Sequence, residues 1–188
     1  LAISRDFFLK NKKNFYITNE HSLKTTHILR SKINCILTTA KTINDDNPKL
    51  TCRIEGLDKF TPKVAIIDKD LSIIKNSFLI KNAKNNKTYL FYNSNNKNKL
   101  NFLKSKKIIL VKTPIKSKNL DLNFILSKLY NFEISSILIE GGKSLTCSLL
   151  KKGIFNEFYL FKSSQSLKNR GILKVKNLNF ILSNKFKN

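Results

Sequence analysis

Residues 42–53, TINDDNPKLTCR, combine acidic and basic side chains that can do chemistry. Two adjacent carboxylates, Asp45 and Asp46, precede the helix-breaking Pro48, and Arg53 follows a few positions later. A carboxyl group can exchange a proton with a substrate, and an arginine offers a planar fork of donors that suits a phosphate. The same Asp-Asp-Asn-Pro run is also typical of a surface turn. Both interpretations stay open from these residues alone.

A second candidate is the strand end at Glu140, which two glycines, Gly141 and Gly142, follow directly. Ligands of parallel sheets lie beyond the carboxyl ends of the strands, and glycines let the backbone come close to them. The helix predicted after the glycines would offer free N–H groups to a phosphate. A glycine pair after a strand is often only a tight turn, so a binding site and a plain turn are both open.

The elements that must position these residues alternate between strands and helices. This alternation predicts an α/β fold with a largely parallel central sheet and helices on both of its faces. The predicted strands are 33–39, 62–68, 87–92, 106–112, 135–140 and 157–162, with 108–111 and 137–139 buried. The predicted helices are 19–32, capped by Thr18 or Asn19, then 120–132, and 143–152, which Gly153 ends; 42–50 is a turn or one-turn helix. The Asn- and Lys-rich stretches 81–87 and 93–99 are predicted to be connecting loops.

The formal charge of +24 raises the question of a polyanionic partner. Of the 36 basic residues only four are arginines, and the lysines are scattered among asparagines along the whole chain. Because specific phosphate and base recognition favours the arginine fork, this pattern indicates a solvated basic surface. The charge can still help to attract a phosphorylated small molecule.

The cysteines and histidines give no sign of a metal centre. Cys35, Cys52 and Cys147 lie far apart with no C-x-x-C pair, which argues against a zinc site and fits a reducing cytoplasm. His21 and His27 stand six positions apart on one predicted helix, so they do not share a face as metal ligands at i and i+4 would. We therefore expect no metal and treat both histidines as surface or half-buried side chains.

The run from Tyr16 to Arg53 resembles the reductase domain of the bifunctional riboflavin-biosynthesis deaminase/reductase. That family has a WIT start, an arginine late in the first helix, a DDP-x-LT-x-R segment and a later VEGG strand end, and counterparts occur here in the same order. The resemblance extends to about Gln165. It implies a dihydrofolate reductase-like fold, a homodimer, and NADPH-dependent reduction of 5-amino-6-(5-phosphoribosylamino)uracil to the ribitylamino compound.

The resemblance also implies roles for single residues. Asp46 matches the family's candidate acid near the site of hydride transfer. The matching substrate-binding positions are Asn14, Arg30, Leu50, Arg53 and Glu140. The matching cofactor-binding positions are Tyr16, Thr42, Asp46, Gly141, Gly142, Lys143, Ser144, Leu145 and Thr146. The resemblance thus places Glu140 towards the substrate, the glycine pair towards the NADPH phosphates, and both arginines where a phosphate suits them.

Some positions depart from the family pattern. Residues 4–8 read SRDFF where the family has SLDGK, so Phe7 stands in place of a glycine. Asn14 stands where a serine is common, Tyr16 where a tryptophan is frequent, and Lys69 where a serine follows the second strand. These departures concern cofactor and substrate contacts but leave Arg30, Asp46, Arg53 and Glu140 unchanged.

The sequence has no methionine and opens on a strand-like LAIS. We therefore expect residues 1–188 to be a single reductase domain from a longer polypeptide, with the zinc deaminase half, whose H-x-E and P-C-x-x-C motifs are absent here, lying upstream. We expect a cytoplasmic enzyme with neither a nucleic acid nor a membrane as partner. Two alternatives remain: a basic nucleic-acid-binding protein, and a degenerate reductase-like domain with a structural role.

Overall fold

The computed structural model describes residues 1–12 and 17–174. The strands are β1 (Ala2–Ile3), β2 (Phe8–Asn11), β3 (Cys35–Thr39), β4 (Lys63–Ile67), β5 (Thr88–Tyr92), β6 (Ile109–Lys112), β7 (Ile115–Lys116), β8 (Asn119–Leu120), β9 (Ile137–Ile139), β10 (Phe161–Lys162) and β11 (Gly171–Lys174). The α-helices are α1 (Glu20–Ser31), α2 (Ala40–Asp46), α3 (Phe78–Lys81), α4 (Lys97–Ser105), α5 (Leu122–Asn131) and α6 (Lys143–Lys152). The chain divides into two compact units, residues 27–142 and residues 1–26 with the chain from 143 onward.

The unit of residues 27–142 is built on a five-stranded parallel sheet in the order β6-β5-β4-β3-β9. In the middle of this sheet Leu37 lies opposite Ala65 on one side and Ile139 on the other. The apolar runs of β3, β4 and β5 are buried, as expected for strands with a neighbour on each side. The α/β fold with a parallel central sheet that the sequence predicts is therefore confirmed.

The two outer strands of this sheet differ from the expectation of full burial. Residues 137–139 of β9 and residues 109–111 of β6 are only half-buried. Within residues 1–12 and 17–174 each of these strands has a partner on one side only, because β9 and β6 are the edges of the sheet. The prediction of strands at these positions is right. The prediction that they are buried holds for Ile108 and is wrong for 109–111 and 137–139, for this reason.

The helix ends follow from local capping. The Asn19 Oδ1 accepts a hydrogen bond from the Ser22 amide at 3.0 Å, so Asn19 and not Thr18 caps α1. The Thr39 side chain accepts from the Thr42 amide at 3.2 Å and caps α2, which ends at Asp46 before Asn47 in the left-handed region at φ 42°. Of the turn or one-turn helix expected over 42–50, the structure has a helix over 40–46. It begins earlier because Thr39 is its cap, and it ends earlier because Asn47 is in the left-handed region.

Two predictions of secondary structure are wrong. The stretch 93–99 is not wholly a loop, because α4 begins at Lys97 with the Asn96 Oδ1 accepting from the Lys99 amide at 3.0 Å. Asparagine is a favoured cap, so the composition that indicates a loop also suits a helix start. The strand expected over 157–162 is reduced to the two residues of β10, and Tyr159 and Leu160, which precede it, are exposed.

The other unit contains two short strand pairs and α6. Strand β1 pairs in parallel with β10, and β2 pairs antiparallel with β11. The buried Ile3 and Leu150 form its apolar centre together with partly buried residues of both ends of the unit: Leu1, Phe7, Leu9, Phe155 and Phe158. Gly153, at φ 66°, follows the last turn of α6, which confirms the predicted helix end.

The turn between β1 and β2 is held by the Asp6 carboxylate. It accepts hydrogen bonds from the Ser4 hydroxyl at 2.7 Å and from the amides of Leu167 and Lys168 at 3.0 and 2.8 Å. The neighbouring Phe7 has a φ of 68°, a conformation that favours glycine. The backbone therefore keeps the conformation that suits the glycine of the SLDGK pattern, although Phe7 occupies the position.

None of the helices in residues 1–12 and 17–174 combines the length and the apolar character needed to cross a membrane.

Candidate functional site

The centre of the candidate site is a bidentate ion pair between Arg30 and Glu140. The Arg30 Nε donates to Glu140 Oε1 and the Nη2 donates to Oε2, both at 2.7 Å. Arg30 lies in the last turn of α1, and Glu140 follows β9 directly. Only 10% of the Arg30 side chain is exposed, whereas 21% of the Glu140 side chain is exposed. The pair is thus a largely buried contact with one open edge on the carboxylate side.

Glu140 is held in place through its backbone as well. Its amide donates to the Leu37 carbonyl at 3.0 Å, and its carbonyl accepts from the Thr38 hydroxyl at 2.7 Å. Both partners belong to β3, so the register of the central strand fixes the backbone from which the carboxylate projects. The position of this acid follows from strand pairing and not from a flexible loop.

The segment Thr51–Arg53 lies along the last turns of α1 and contacts that helix at every residue. The Arg30 Nη1 donates to the Thr51 carbonyl at 3.0 Å. The Cys52 thiol donates to the His27 carbonyl at 3.4 Å, and the Arg53 amide donates to the His27 Nδ1 at 3.2 Å. Because residues at i and i+3 share one face of a helix, His27 and Arg30 both reach this segment.

His27 is a neutral acceptor in this arrangement. Its pKa lies below the usual 6.5 because partial burial and the nearby positive charges of Arg53 and Arg30 disfavour the imidazolium. The Thr51 backbone and the Glu140 carboxylate act in the opposite direction and raise the pKa, but they do not outweigh the other causes. A ring with an unprotonated Nδ1 can accept the Arg53 amide, as the geometry requires.

A second cluster joins the start of α2 to the glycine pair. The Gly142 amide donates to the Thr42 Oγ1 at 3.2 Å, and the Thr42 and Thr39 hydroxyls lie 3.0 Å apart. Thr39 ends β3, and Gly142 lies shortly after β9. Since these strands are parallel neighbours, both hydroxyls and the glycine amide lie beyond the carboxyl ends of two adjacent strands.

The structure gives no internal reason for a glycine at position 142. Gly142 is exposed, and the glycines with positive φ among the described residues are Gly56 and Gly153. A Cβ built on Gly142 would meet only the Thr42 Oγ1, at 3.7 Å, which is an ordinary contact. The missing side chain therefore leaves exposed backbone that another molecule can approach closely.

The remaining predicted residues of this unit differ in exposure. Asp46 is exposed at the last position of α2, and Arg53 is also exposed, with its Nη1 3.5 Å from the Thr51 Oγ1. Leu50 is buried in the main apolar cluster and has a φ of 52°, which is unusual for a bulky residue. Such an outlier at a residue matched to a substrate position supports a functional hypothesis for its backbone.

The cofactor-matching residues that follow the glycine pair belong to the other unit and open α6. Lys143 is the first residue of this ten-residue helix. Ser144 is exposed, Thr146 is half-buried, and the Leu145 side chain is buried. The first turn of a helix of this length carries amide groups with no partner inside the helix, and they suit an anion. Asn14 and Tyr16 lie outside the described residues.

The structure thus brings together Arg30, Glu140 and the Thr51–Arg53 segment, and separately Thr42 and Gly142. Four residues that hold these groups have no role in the sequence prediction: Thr38, Thr39, Thr51 and His27. The one available signal was the i, i+3 spacing of His27 and Arg30, which places both on the same face of α1.

Comparison with known proteins shows similarity to proteins named for riboflavin biosynthesis. A family model described as the RibD C-terminal domain matches residues 8–165. The riboflavin biosynthesis protein RibD of Aquifex aeolicus is 31% identical over 147 residues, which cover 78% of this chain and 39% of that protein.

Solved structures show the same fold. The structure of RibD from Acinetobacter baumannii has a TM-score of 0.76 and 19% identity, and the match covers 92% of this chain and 47% of that one. A diaminohydroxyphosphoribosylaminopyrimidine deaminase/5-amino-6-(5-phosphoribosylamino)uracil reductase from Thermotoga maritima has a TM-score of 0.72 and 21% identity, over 100% of this chain and 47% of that one. The similarities confirm the predicted dihydrofolate reductase-like fold. The chain spans less than half of each of these three relatives.

Proposed function

Because the chain belongs to the family of RibD C-terminal domains, we propose that it reduces the ribosyl group of 5-amino-6-(5-phosphoribosylamino)uracil to the ribityl group with NADPH. The observation that carries this proposal is the Arg30–Glu140 pair together with the attached Thr51–Arg53 segment. Three positions that match substrate-binding residues of the family, Arg30, Arg53 and Glu140, are separated in sequence and lie in one connected set of contacts.

The two arginines take different parts in this proposal. Arg30 uses three of its five N–H donors on Glu140 and the Thr51 carbonyl, so its charge is already paired. Arg53 is exposed, and its guanidinium is the better group to bind the substrate phosphate through parallel hydrogen bonds. Arg30 then contacts the substrate with its remaining donors, beside the exposed edge of Glu140. Leu50 and Asn14 remain proposed substrate-binding positions on the strength of the resemblance.

The residues at the carboxyl ends of β3 and β9 fit a nicotinamide cofactor. The backbone at Gly142 is exposed and carries no side chain, and the hydroxyl groups of Thr39 and Thr42 lie next to it. A bare backbone and hydroxyl groups can hydrogen-bond to the oxygen atoms of a dinucleotide. We assign the NADPH phosphates to Gly141, Gly142 and the first turn of α6, Lys143 to Thr146, and a further cofactor contact to Thr42. Tyr16 and Asp46 complete the proposed cofactor-binding set.

The reaction needs one hydride and one proton at the bond between ribose and nitrogen. The sugar is attached as a glycosylamine, an N,O-acetal. It opens to an imine when the bond between the first ribosyl carbon and the ring oxygen breaks, and the ring oxygen takes up the proton that the nitrogen loses. NADPH, when bound, supplies the hydride to that carbon. Asp46 delivers the proton to the imine nitrogen, directly or through a water that its carboxylate orients. Because Asp46 is exposed, bulk water can return the proton after each turnover.

The test is a turnover assay with the purified chain, NADPH and the deaminated ribosyl substrate. We expect loss of NADPH absorbance and a product heavier by two hydrogens, identified by mass spectrometry. Tight NADPH binding without oxidation would instead identify a structural, reductase-like domain. Strongly salt-dependent binding of nucleic acid without any NADPH binding would identify a polyanion-binding protein.

The proposal includes a homodimer, as the resemblance implies, and analytical ultracentrifugation of the same preparation tests it. That residues 1–188 form a single reductase domain stays a prediction. Limited proteolysis with and without NADPH checks it, because one cooperative domain should be protected as a whole when the cofactor binds.

A further inference from the structure

The contact between His27 and the Arg53 backbone has no part in the chemistry described above. The imidazole Nδ1 accepts the Arg53 amide at 3.2 Å, one helical turn before Arg30. Arg53 itself is exposed, and its amide is the last of three consecutive contacts between residues 51–53 and α1. In the described part of the chain, the residues that follow Arg53 make no backbone hydrogen bond to α1, so the bond to His27 is the last hydrogen bond that ties this segment to the helix.

We propose that His27 is a positioning residue that holds Arg53 towards the phosphate of the substrate by accepting its amide hydrogen at a neutral Nδ1. This inference rests on the proposed function, because it gives Arg53 the task of binding the substrate phosphate. Without His27 the Arg53 amide would bind water, and the backbone of Arg53 would lose this contact with α1. His27 acts through Arg53 and does not touch the reacting atoms.

Protonation of His27 abolishes this contact, because an imidazolium has two donors and no acceptor. The charged groups that face the ring are Arg53 and Arg30, which lower its pKa, and Glu140, which raises it. Partial burial acts with the arginines, so the pKa lies below the usual 6.5 and the acceptor is present at neutral pH. Positioning of Arg53 is therefore complete at neutral pH and is lost as the pH falls through the pKa of His27.

Three variants test the inference in the full chain. His27→Leu keeps much of the volume but removes the acceptor, His27→Asn restores an acceptor oxygen that does not titrate, and His21→Leu is the control on the exposed side of the same helix. We expect His27→Leu to raise KM for the ribosyl substrate about tenfold, as the loss of one hydrogen bond does, with little change in kcat or in NADPH affinity. His27→Asn should recover most of the loss, and His21→Leu should behave as the parent chain.

The pH profile gives the sharpest readout. As the pH falls below neutral, KM for the ribosyl substrate should rise more in the parent chain than in His27→Asn. The difference arises because His27 is protonated in the parent chain, whereas the asparagine side chain does not titrate. The phosphate of the substrate titrates in both proteins and cancels in the comparison. An equal rise of KM at acid pH in the two proteins would overturn the inference. A KM in His27→Asn as high as in His27→Leu would overturn it as well.

Hydrogen exchange of the Arg53 amide separates this inference from the proposed function. We expect protection of this amide in the parent chain and His27→Asn, and about tenfold faster exchange in His27→Leu. This measurement needs no substrate, so an inactive chain with the expected exchange pattern would contradict the reductase and leave the contact established. Unchanged exchange in a folded His27→Leu would contradict the positioning role, even in an active enzyme.

Discussion

The guanidinium of Arg30 and the carboxylate of Glu140 are 110 residues apart in the sequence and meet in two contacts of 2.7 Å. The pair joins the last turn of α1 to the end of β9, and its third donor extends the connection to the Thr51 carbonyl. A bidentate pair has a defined geometry, so it fixes the helix end, the strand end and the segment towards Arg53 relative to one another.

Removal of the Glu140 charge should destabilise the protein. In Glu140→Gln the side-chain amide presents a donor to Arg30 and leaves a largely buried guanidinium without its counter-charge. We expect a loss of about 2 kcal/mol in the free energy of unfolding, less than for a fully buried pair because 21% of the Glu140 side chain is exposed. Urea unfolding measures it, with the exposed Glu55→Gln as control. Equal unfolding midpoints for the two variants would show that the pair contributes no stability.

Asp46 and Asp45 form a matched pair of variants for the proton step. Asp46→Asn should lower kcat by about a hundredfold, because proton delivery by a placed carboxyl group contributes at least that factor. Asp45→Asn, which alters a neighbouring carboxylate that pairs with Lys41 at 3.1 Å, should leave kcat unchanged. Steady-state kinetics at saturating NADPH separates them. If Asp46→Asn keeps full turnover, Asp46 is not the proton donor.

Gly142 and Gly153 should respond to alanine in opposite ways. A Cβ at Gly142 meets only the Thr42 Oγ1, at 3.7 Å, so Gly142→Ala should leave stability unchanged but weaken NADPH binding about tenfold by blocking close approach to the backbone. Gly153, at φ 66° after α6, should lose about 1 kcal/mol of stability as alanine and keep its NADPH affinity. Thermal unfolding and NADPH titration check both. Unimpaired NADPH binding by Gly142→Ala would favour a plain turn.

Protonation of Asp6 should lower the stability of its unit at acid pH. Partial burial raises the pKa of its carboxyl group, but hydrogen bonds from Leu167, Ser4 and Lys168 outweigh it and hold the pKa far below the usual 3.8. The unfolded chain therefore binds the proton first, so the stabilisation is complete above about pH 4 and is lost as the pH falls below it.

The variant Asp6→Asn tests the direction of this pH dependence of stability. It should be less stable than the parent chain at neutral pH, and the two should approach each other as the pH falls below about 4, because the asparagine does not titrate there. Unfolding curves across that range measure the difference, with the exposed Asp58→Asn as control. A constant gap between parent and Asp6→Asn down to low pH would contradict the role of the ionised carboxylate.

Local patterns in the sequence determined the class of fold and most of its elements. Alternating apolar runs and helical stripes predicted five strands of the parallel sheet, and capping residues such as Asn19 and Gly153 marked helix ends. Motif order was sufficient for the family resemblance, even where Phe7 replaces a glycine. The predictions failed where composition was ambiguous, as at Asn96, whose side chain caps a helix as readily as it forms a loop.

Only the tertiary structure decided which of the candidate residues contact each other. The sequence contains Arg30, Arg53 and Glu140 as equal candidates, but the distances between them depend on strand register and on the face of α1 that meets residues 51–53. The role of His27 emerged from the same geometry, because a hydrogen bond between an imidazole and a backbone amide leaves no residue pattern in the chain. Propensities and caps act over a few neighbouring residues, whereas these contacts exist only once the whole sheet has assembled.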